Sequence, residues 1–395
     1  MQLSPRITSL GYSFIPSVAA LTASKFLSSS SRIELKMFES DQSVFVIAEA
    51  GVNHNGDPDI AMQMVDAAAE AGADAVKFQT FEAKALVTSK ANKARYQQAA
   101  TGGDESQRQM LAGLELDREV HCRLKRRAEE RDLLFMSSAF DSQSLTFLVN
   151  DLNLPMLKIP SGEITNGPFL LEHAQANRNL LLSTGMSTIS EIKTALSVLA
   201  FGLVGGECPS TRGFDEAFAS EAGQDALRAR VTLLHCTTQY PASFASVNLK
   251  ALASMQTAFN LKVGYSDHTS NSVVACAAVA LGAVAIEKHF TLDRTLPGPD
   301  HLASLEPSEF REMVEGIRRV EQSLGTGEKM PHDSELENRP VVRKSLMAAC
   351  AIRKGELFSS KNVVIKRPGT GRSPMEYWDI LGQASKRSYE SDEFL

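Results

Sequence analysis

The chain has 395 residues, 43% hydrophobic and 22% charged, a composition typical of a globular enzyme and not of a disordered or fibrous protein. The formal net charge of −6 gives no broad positive field, which disfavours nucleic acid or an anionic membrane as partner. The five cysteines form no C-x-x-C pair, which disfavours a disulfide framework or a cysteine-based zinc site, and no apolar run approaches the roughly 20 residues that span a bilayer.

Residues 1–40 differ from the rest of the chain. They are rich in serine, and their basic residues have no acidic counterpart before Glu34. This composition is typical of an organellar transit peptide. The alternatives are a disordered extension or a start at Met37. We therefore exclude this segment from the predicted fold and expect a cytoplasmic protein, or an organellar one if the segment is a transit peptide.

Short β-rich runs then alternate with helical patterns such as residues 60–70, 192–199 and 273–281. The runs are continuously apolar, as strands buried on both faces are. A closed (β/α)8 TIM barrel over residues 41–324 is therefore predicted. A doubly wound open sheet is disfavoured, because no G-x-G-x-x-G follows the first run. The predicted strands are Val44–Ala50, Ala75–Thr80, Leu133–Ser138, Met156–Pro160, Leu180–Ser183, Val231–Cys236, Lys262–Ser266 and Ala285–His289.

Two connections are longer than a barrel needs. Residues 82–117 follow the second strand, so they are predicted to form a lid or rim on the catalytic face. Residues 201–230 precede the sixth strand and are predicted to lie on the opposite face, away from chemistry. Beyond the barrel, a polar linker over residues 325–340 leads to a small β-rich domain over residues 341–395.

Polar side chains occur at the end of every predicted strand. The carboxyl ends of barrel strands face one common pocket, so these residues are expected to form a single site. They are Glu49, Lys77, Gln79, Ser137, Ser138, Lys158, Ser161, Glu163, Ser183, His235, Thr238, Tyr240, Ser266, His268, Glu287, His289 and Asp300.

Lys77 and Lys158 interrupt otherwise apolar strands. A lysine in this position either extends to the rim or is buried against an anion. Together with Ser161, Ser183 and Ser266, the two lysines would supply the charge and hydroxyl donors that suit phosphate or carboxylate. The alternative is that one lysine forms a Schiff base, as in pyruvate-dependent aldolases.

His268 and His289 end adjacent strands, so their rings can converge on one divalent ion. His235 is a candidate third ligand, or a purely structural residue. Glu49 would act on a metal-bound water or on the substrate, and the rival interpretation is a salt bridge to Lys77.

Seven runs resemble the sialic acid synthase family, in order along the chain. The tail, from Val342 through Gly371, is similar to the antifreeze-like (SAF) domain that follows the barrel in that family. The runs are Ile47–Gly56, Ala73–Thr80, Lys158–Glu163, Ser183–Met186, Leu234–Pro241, Gly264–Thr269 and Glu287–Arg294.

The resemblance implies that phosphoenolpyruvate condenses with an open-chain hexose, such as N-acetylmannosamine, to give a nine-carbon keto acid and phosphate. His268 and His289 would hold a divalent ion, manganese first, with magnesium, cobalt or zinc as alternatives. Glu49 or Glu163 would handle protons. Phosphoenolpyruvate would be bound by Lys77, Lys158, Ser161, Ser183 and Ser266, and the sugar by Gln79, Tyr240 and Asp300.

The resemblance also implies a domain-swapped homodimer in which Arg367 of the small domain contacts the sugar in the partner's site. The sequence departs from the family at Thr238, where some bacterial members have an asparagine that helps to hold the phosphate. Three alternatives stay open: a synthase of eight- or seven-carbon keto acids, a pyruvate lyase with Lys158 as Schiff base, and a non-catalytic sugar- or ice-binding protein.

Overall fold

The apolar runs of the sequence form the parallel strands of a closed barrel. The computed structural model describes residues 43–94, 97–98, 101–102 and 105–395, so the transit-like segment lies outside the described residues. Strands follow one another in chain order, and β1 pairs with both β2 and β8. The strands are β1 Phe45–Gly51, β2 Ala75–Thr80, β3 Leu134–Ala139, β4 Met156–Ile159, β5 Asn179–Ser183, β6 Val231–Cys236, β7 Lys262–Asp267 and β8 Ala285–His289. The predicted (β/α)8 barrel is confirmed, with each predicted strand end within about one residue of the observed one.

Helices connect the strands and cover the outside of the barrel. The first begins where Asp57 accepts hydrogen bonds from the amides of Asp59 and Ile60, and it buries Ala61, Met64, Val65 and Ala68 on one face, the spacing expected of an amphipathic helix. The described helices up to residue 324 are α1 Pro58–Glu70, α2 Ala83–Leu86, α3 Gln107–Ala112, α4 Arg118–Glu130, α5 Ser142–Thr146, α6 Gly167–Gln175, α7 Ile189–Leu203, α8 Thr211–Ala219, α9 Glu221–Arg230, α10 Ala251–Phe259, α11 Val273–Ala280 and α12 Pro307–Leu324.

The inserted segment 201–230 carries two of these helices. Helices α8 and α9 pack against α7, and the rings of Phe201 and Phe214 meet edge to face with centroids 5.1 Å apart. Both helices precede β6, at the end of the barrel opposite the carboxyl ends of the strands. None of the described residues that line the cavity at the carboxyl ends of the strands comes from this segment.

Residues 325–395 form a second unit. Its strands β9 (Ser345–Ala348) and β10 (Val363–Lys366) pair antiparallel, and its core contains Leu346, Ile352, Phe358 and Ile380. Helix α13 (Asp333–Val342) lies largely within the segment predicted as a linker, and α14 spans Tyr377–Ile380. In neither unit does a described helix combine the length and apolar character needed to cross a membrane.

His173 on α6 is buried outside the barrel interior and makes stability depend on pH. Its Nδ1 bonds the carbonyl of Phe169 at 2.8 Å, its Nε2 has no hydrogen-bond partner among the described residues, and burial lowers its pKa from 6.5 to about 4. Because the folded protein favours the neutral ring, His173 contributes to the free energy of unfolding. This contribution is complete above pH 6.5 and is lost as the pH falls toward 4. We therefore expect His173→Leu to remove about 2 kcal/mol of the stability difference between pH 7 and pH 5, measured by urea unfolding. Equal losses in both proteins would contradict this expectation.

Candidate active site

The interior of the barrel is built in layers, because every second residue of a strand points inward. The lower layer is apolar and contains Phe45, Ile47, Ala75, Leu134, Met136, Met156, Leu181, Leu234 and Ala285. Two residues further along the strands comes a polar layer: Glu49, Lys77, Ser138, Lys158, Ser183, Cys236, Ser266 and Glu287. Two residues beyond Ser266 and Glu287 are His268 and His289. The strand-end residues therefore converge because of the strand period.

Two lysines and two carboxylates pair within the polar layer. Lys77 Nζ lies 2.6 Å from Glu49 Oε2 and 3.5 Å from Glu287 Oε2, and Lys158 Nζ lies 3.0 Å from Glu287 Oε1. Ser266 donates to Glu287 at 2.8 Å. All four charged side chains are at most 5% exposed. The salt bridge between Glu49 and Lys77, anticipated as the rival interpretation, is present, and the four charges sum to zero.

The members of this charged group do not hold their protons equally. Burial raises the pKa of Glu49, and Lys77 offsets this only in part. Burial also acts to raise the pKa of Glu287, but Lys158 and Lys77 outweigh it and hold the pKa well below its usual range. Burial lowers the pKa of Lys158 more than Glu287 restores it. Glu49 is therefore the carboxylate that takes up a proton more readily, and Glu287 is a permanent anion between the lysines.

His268 and His289 are two neutral imidazoles beside this group, with ring centroids 5.3 Å apart. His268 Nδ1 donates to the carbonyl of Thr237 at 2.7 Å, which leaves its Nε2 as an acceptor. Burial lowers the pKa of His268 to about 4 and that of His289 well below 6.5. Nδ1 of His289 is buried without a hydrogen-bond partner in the described part of the chain. His268 Nε2 lies 3.4 Å from Ser266 Oγ, a contact that a metal ion could replace, because neutral imidazoles are the form that binds metal ions.

The two histidines fit a divalent ion as part of its ligand set. No group of three or more His, Cys, Asp or Glu side chains that could hold a metal occurs among the described residues. Substrate oxygens or water would therefore have to complete the coordination. His235 does not join the pair: its Nε2 bonds the carbonyl of Val247 at 2.7 Å, and it lines a neighbouring cavity.

A buried ion pair fixes the backbone around these histidines. Lys288 Nζ lies 2.9 Å from Asp267 Oδ2, and both side chains are fully buried. The same Nζ donates to the carbonyls of Thr269 and Asn271. Lys288 therefore fixes the loop after β7 from the side away from the cavity. His268 lies between Asp267 and Thr269, both of which Lys288 contacts.

Hydroxyl and amide groups lie close together at the ends of β4, β5 and β6. The amide of Gly185 donates to Ser161 Oγ at 3.0 Å, and Ser161 Oγ lies 3.2 Å from Cys236 Sγ. A Cβ atom on Gly185 would lie 2.4 Å from Thr238 Oγ1 and 2.8 Å from Ser161 Oγ. Any larger residue here would therefore displace the hydroxyl groups of Ser161 and Thr238, because three loops approach closely. Ser161, Ser183, Thr238 and Ser266 all line the cavity with Lys77 and Lys158, an arrangement suited to an anion.

Two of the predicted sugar contacts, Gln79 and Asp300, meet over Gly51. This residue has φ +53°, and a Cβ there would lie 3.2 Å from Glu49 Oε1, 3.4 Å from Gln79 Nε2 and 3.7 Å from Asp300 Oδ2. Burial and the nearby Glu49 raise the pKa of Asp300 to about 7, with Lys77 opposing them. The ring of Tyr240 lies 4.3 Å from that of His268. These groups offer neutral hydrogen-bond donors and acceptors beside the polar layer.

The structure brings together the predicted barrel residues except Ser137, His235 and Glu163. Ser137 Oγ lies 2.7 Å from Thr80 Oγ1 and outside the cavity lining, and His235 lines the neighbouring cavity. Glu163 also lies apart. Its carboxylate accepts a hydrogen bond from Asn166 Nδ2 at 2.8 Å, and Glu163 lies outside the cavity lining. Arg367 lies in the second unit, directly after β10, and its predicted contact with a partner's site stays a prediction.

Some site residues had no role in the sequence-based prediction. Glu287 bonds both lysines, although it appeared only as a polar strand-end residue, and Ser138 accepts a hydrogen bond from Lys77 at 3.3 Å. The strand period could have assigned Glu287 to the polar layer, because it lies two residues before His289.

The cavity has a volume of about 300 Å³. Segment 82–117, predicted to lie on the catalytic face, does line it, with residues Leu86, Val87, Gln97, Gln107, Met110, Leu111 and Leu114.

Comparison with known proteins gives consistent matches over most of the chain. The NeuB family model matches residues 64–329. The N,N'-diacetyllegionaminic acid synthase of Campylobacter jejuni is 47% identical over 350 residues, covering 89% of this chain and 98% of the relative. The enzyme of the same name from Legionella pneumophila is 44% identical, covering 87% and 90%. The crystal structure of the N-acetylneuraminic acid synthetase from Leptospira borgpetersenii, in complex with citrate, has a TM-score of 0.61 at 32% identity, covering 75% of this chain and 90% of the other.

Proposed function

The chain belongs to the NeuB family, and from this premise we propose that it condenses phosphoenolpyruvate with an N-acetylated hexose to give a nine-carbon 2-keto acid and phosphate. The observation that carries the proposal is the cavity itself. It places two buried lysines and a set of hydroxyl donors beside two neutral histidines and a carboxylate with a raised pKa. That combination serves an anionic substrate, a carbonyl and a proton transfer in one place.

Phosphoenolpyruvate would occupy the side of the cavity that carries Lys77 and Lys158. Its negative charges would compete with Glu49 and Glu287 for the two ammonium groups, and the hydroxyls would complete its hydrogen bonds. The position of Thr238 supports this role, because its Oγ1 and Ser161 Oγ both lie close to Gly185. The hydroxyl ligands would be Ser161, Ser183, Thr238 and Ser266.

The reaction forms a bond between C3 of phosphoenolpyruvate and C1 of the open-chain sugar, whose carbonyl oxygen takes up a proton. Water then adds to the cationic C2, releasing one proton, and cleavage of the C2–O bond releases phosphate. When bound by His268 and His289, a divalent ion would supply Lewis-acid polarisation of the aldehyde; manganese comes first, with magnesium, cobalt or zinc as alternatives. The protein's own residues orient the two substrates and move the proton.

Glu49 is the proposed proton donor, in preference to Glu163. Its pKa is already raised by burial, and an anionic substrate bound beside it would raise the pKa further. Glu49 would therefore be protonated in the complex and could donate to the sugar oxygen. Gln79, Tyr240 and Asp300 would contact the sugar.

The proposed acceptor is an unphosphorylated N-acetylated hexose, such as N-acetylmannosamine or a diacetylated relative. Two observations support this. The two lysines of the cavity are already committed to carboxylates and to the first substrate, and the relatives with the higher identities quoted above are named for a diacetylated product.

We also propose that the active form is a domain-swapped homodimer in which the second unit, as a SAF domain, brings Arg367 to the partner's sugar site. The segments that follow β5, β6, β7 and β8 expose apolar side chains with exposures of 59–71%, namely Met186, Phe244, Val273 and Leu302. The second unit exposes Met375 and Trp378. A second copy of the chain could bury both sets. Light scattering that finds only monomer would reject the dimer.

The test is release of phosphate from phosphoenolpyruvate with a panel of acceptors, each with and without Mn²⁺. The panel would comprise N-acetylmannosamine, its 6-phosphate, mannose, a diacetamido hexose, and the aldose phosphates of the eight- and seven-carbon synthases. Release with an N-acetylated hexose supports the proposal, whereas no release with any hexose plus metal rejects it. The lowered pKa of Lys158 is the one observation that favours the Schiff-base lyase. Borohydride trapping with pyruvate tests it, and the synthase should not be trapped.

Gly185→Ala is expected to lower kcat/KM for phosphoenolpyruvate by roughly 100-fold, because a Cβ there displaces the hydroxyls that would bind the substrate. The effect should appear mainly in KM, measured by phosphate release. The matched control is Gly167→Ala, since a Cβ on Gly167 meets nothing within 4 Å. Similar KM values for the two variants would mean that Gly185 does not shape the anion site.

A further inference from the structure

One side of the cavity is apolar. We define the apolar wall as the side chains that line this side: Val52, Leu86, Val87, Met110, Leu111, Leu114 and Phe140. Most of them come from the segment that follows β2. The charged lining residues Glu49, Lys77, Lys158, Glu287 and Asp300 all come instead from strands or from the loop after β8.

The apolar wall is packed against the barrel. Val52 and Leu114 are buried together with Phe81, whose ring meets that of Phe140 edge to face with centroids 6.1 Å apart. Gly56 follows β1, and a Cβ on it would lie 2.4 Å from the carbonyl oxygen of Gly113 at the end of α3. This close approach fixes α3, which carries Met110 and Leu111, on the loop after β1.

Hydrogen bonds fix α3 at both sides. Ser106 and Gln109 form a capping box at its start, and beyond its end Glu115 accepts a hydrogen bond from the amide of Ala83 at 2.6 Å. The only polar side chains that this segment adds to the described lining are Gln97 and Gln107, and Gln107 Nε2 donates to Gln97 Oε1 at 3.3 Å. The segment therefore presents no charged group to the cavity among its described lining residues.

An apolar surface discriminates ligands by their apolar groups. A charged or hydroxyl group placed against it loses hydration without gaining a partner, whereas a methyl group gains burial. We propose that the apolar wall selects the acceptor sugar by a methyl group, either the acyl methyl of an acetamido group or the methyl of a deoxy carbon. This inference rests on the proposed function, and it assigns specificity to a segment outside the strand-end residues.

The test compares acceptors that differ in one methyl group. N-acetylmannosamine against N-formylmannosamine reports an acetamido methyl, and 6-deoxy-N-acetylmannosamine against N-acetylmannosamine reports a deoxy methyl. In the wild type we expect the methyl-bearing member of at least one pair to be favoured by roughly 10-fold or more in kcat/KM. The pair that discriminates identifies which methyl is read.

Two substitutions then test the wall itself. Val87→Thr is nearly isosteric and adds a hydroxyl, and Leu111→Asn adds an amide; both side chains are half-buried, so folding should survive and is checked by circular dichroism. Both variants should bring the discrimination ratio toward one and leave KM for phosphoenolpyruvate unchanged. The matched control is Leu281→Asn at the exposed position directly after α11, which should keep the wild-type ratio.

The outcomes separate the inference from the function on which it rests. Phosphate release with no discrimination in either pair, or discrimination that survives in both wall variants, overturns the inference and leaves the synthase intact. No release with any acceptor overturns the proposed function and the inference with it.

Discussion

Replacing Lys158 with methionine is expected to lower kcat/KM for phosphoenolpyruvate by roughly 10²–10³-fold, the effect of removing one preorganised charged donor from a buried site. Methionine has a similar length and no charge. The change removes the ammonium group 3.0 Å from Glu287, so the remaining layer has two carboxylates and one lysine. A substrate anion would then enter a site of net negative charge. Phosphate release under saturating acceptor measures the loss.

The same change is expected to destabilise the protein, because it leaves a buried carboxylate with less compensation. Breaking a buried pair in this way costs about 3–5 kcal/mol, measurable by urea unfolding. The double variant Lys158→Met with Glu287→Gln removes both charges of this pair and should recover part of that stability without recovering activity. If activity returned together with stability, Lys158 would have only a structural role.

His268→Ala is expected to abolish the dependence of turnover on a divalent ion, with a residual rate at or near the metal-free rate of the wild type. The reason is that His268 is one of only two described side chains that we assign to the ion, so its loss halves the protein's share of the ligands. Isothermal titration with Mn²⁺ provides a readout separate from activity and should show binding weakened by roughly 10–100-fold or more.

The matched control for this prediction is His235→Gln. His235 also ends a strand and is half-buried, but it bonds the carbonyl of Val247, a bond that a glutamine amide can replace. This variant should keep the wild-type Mn²⁺ affinity. Unchanged metal-dependent activity in His268→Ala would remove His268 from the metal site.

The barrel could be predicted from sequence because its information is local and periodic. Strands buried on both faces are continuously apolar, and a polar residue such as Lys77 or Lys158 in such a run has to be explained. The period of two also places His289 directly above Glu287 on β8. The family motifs then supplied roles for most of the same residues.

The rest of the site depends on contacts that have no period. Glu287 is important because it bonds Lys77 and Lys158 from β2 and β4, which depends on the closure of the barrel and not on its own neighbours in sequence. The short helix α3 reaches the cavity because Gly113 packs on Gly56, a contact between segments that no motif links. Glu163 shows the converse: it lies in a family motif, but the turn after β4 directs it toward Asn166.

The separation between the strand ends and the apolar wall has an evolutionary consequence. Residues that would handle the reaction common to all acceptors lie on strands or within two residues of a strand end, where the barrel core constrains each position. The wall lies mostly on one surface connection, and connections tolerate insertion and exchange better than strands do. New acceptor preferences could therefore arise by replacing a single loop, while the catalytic chemistry is inherited unchanged.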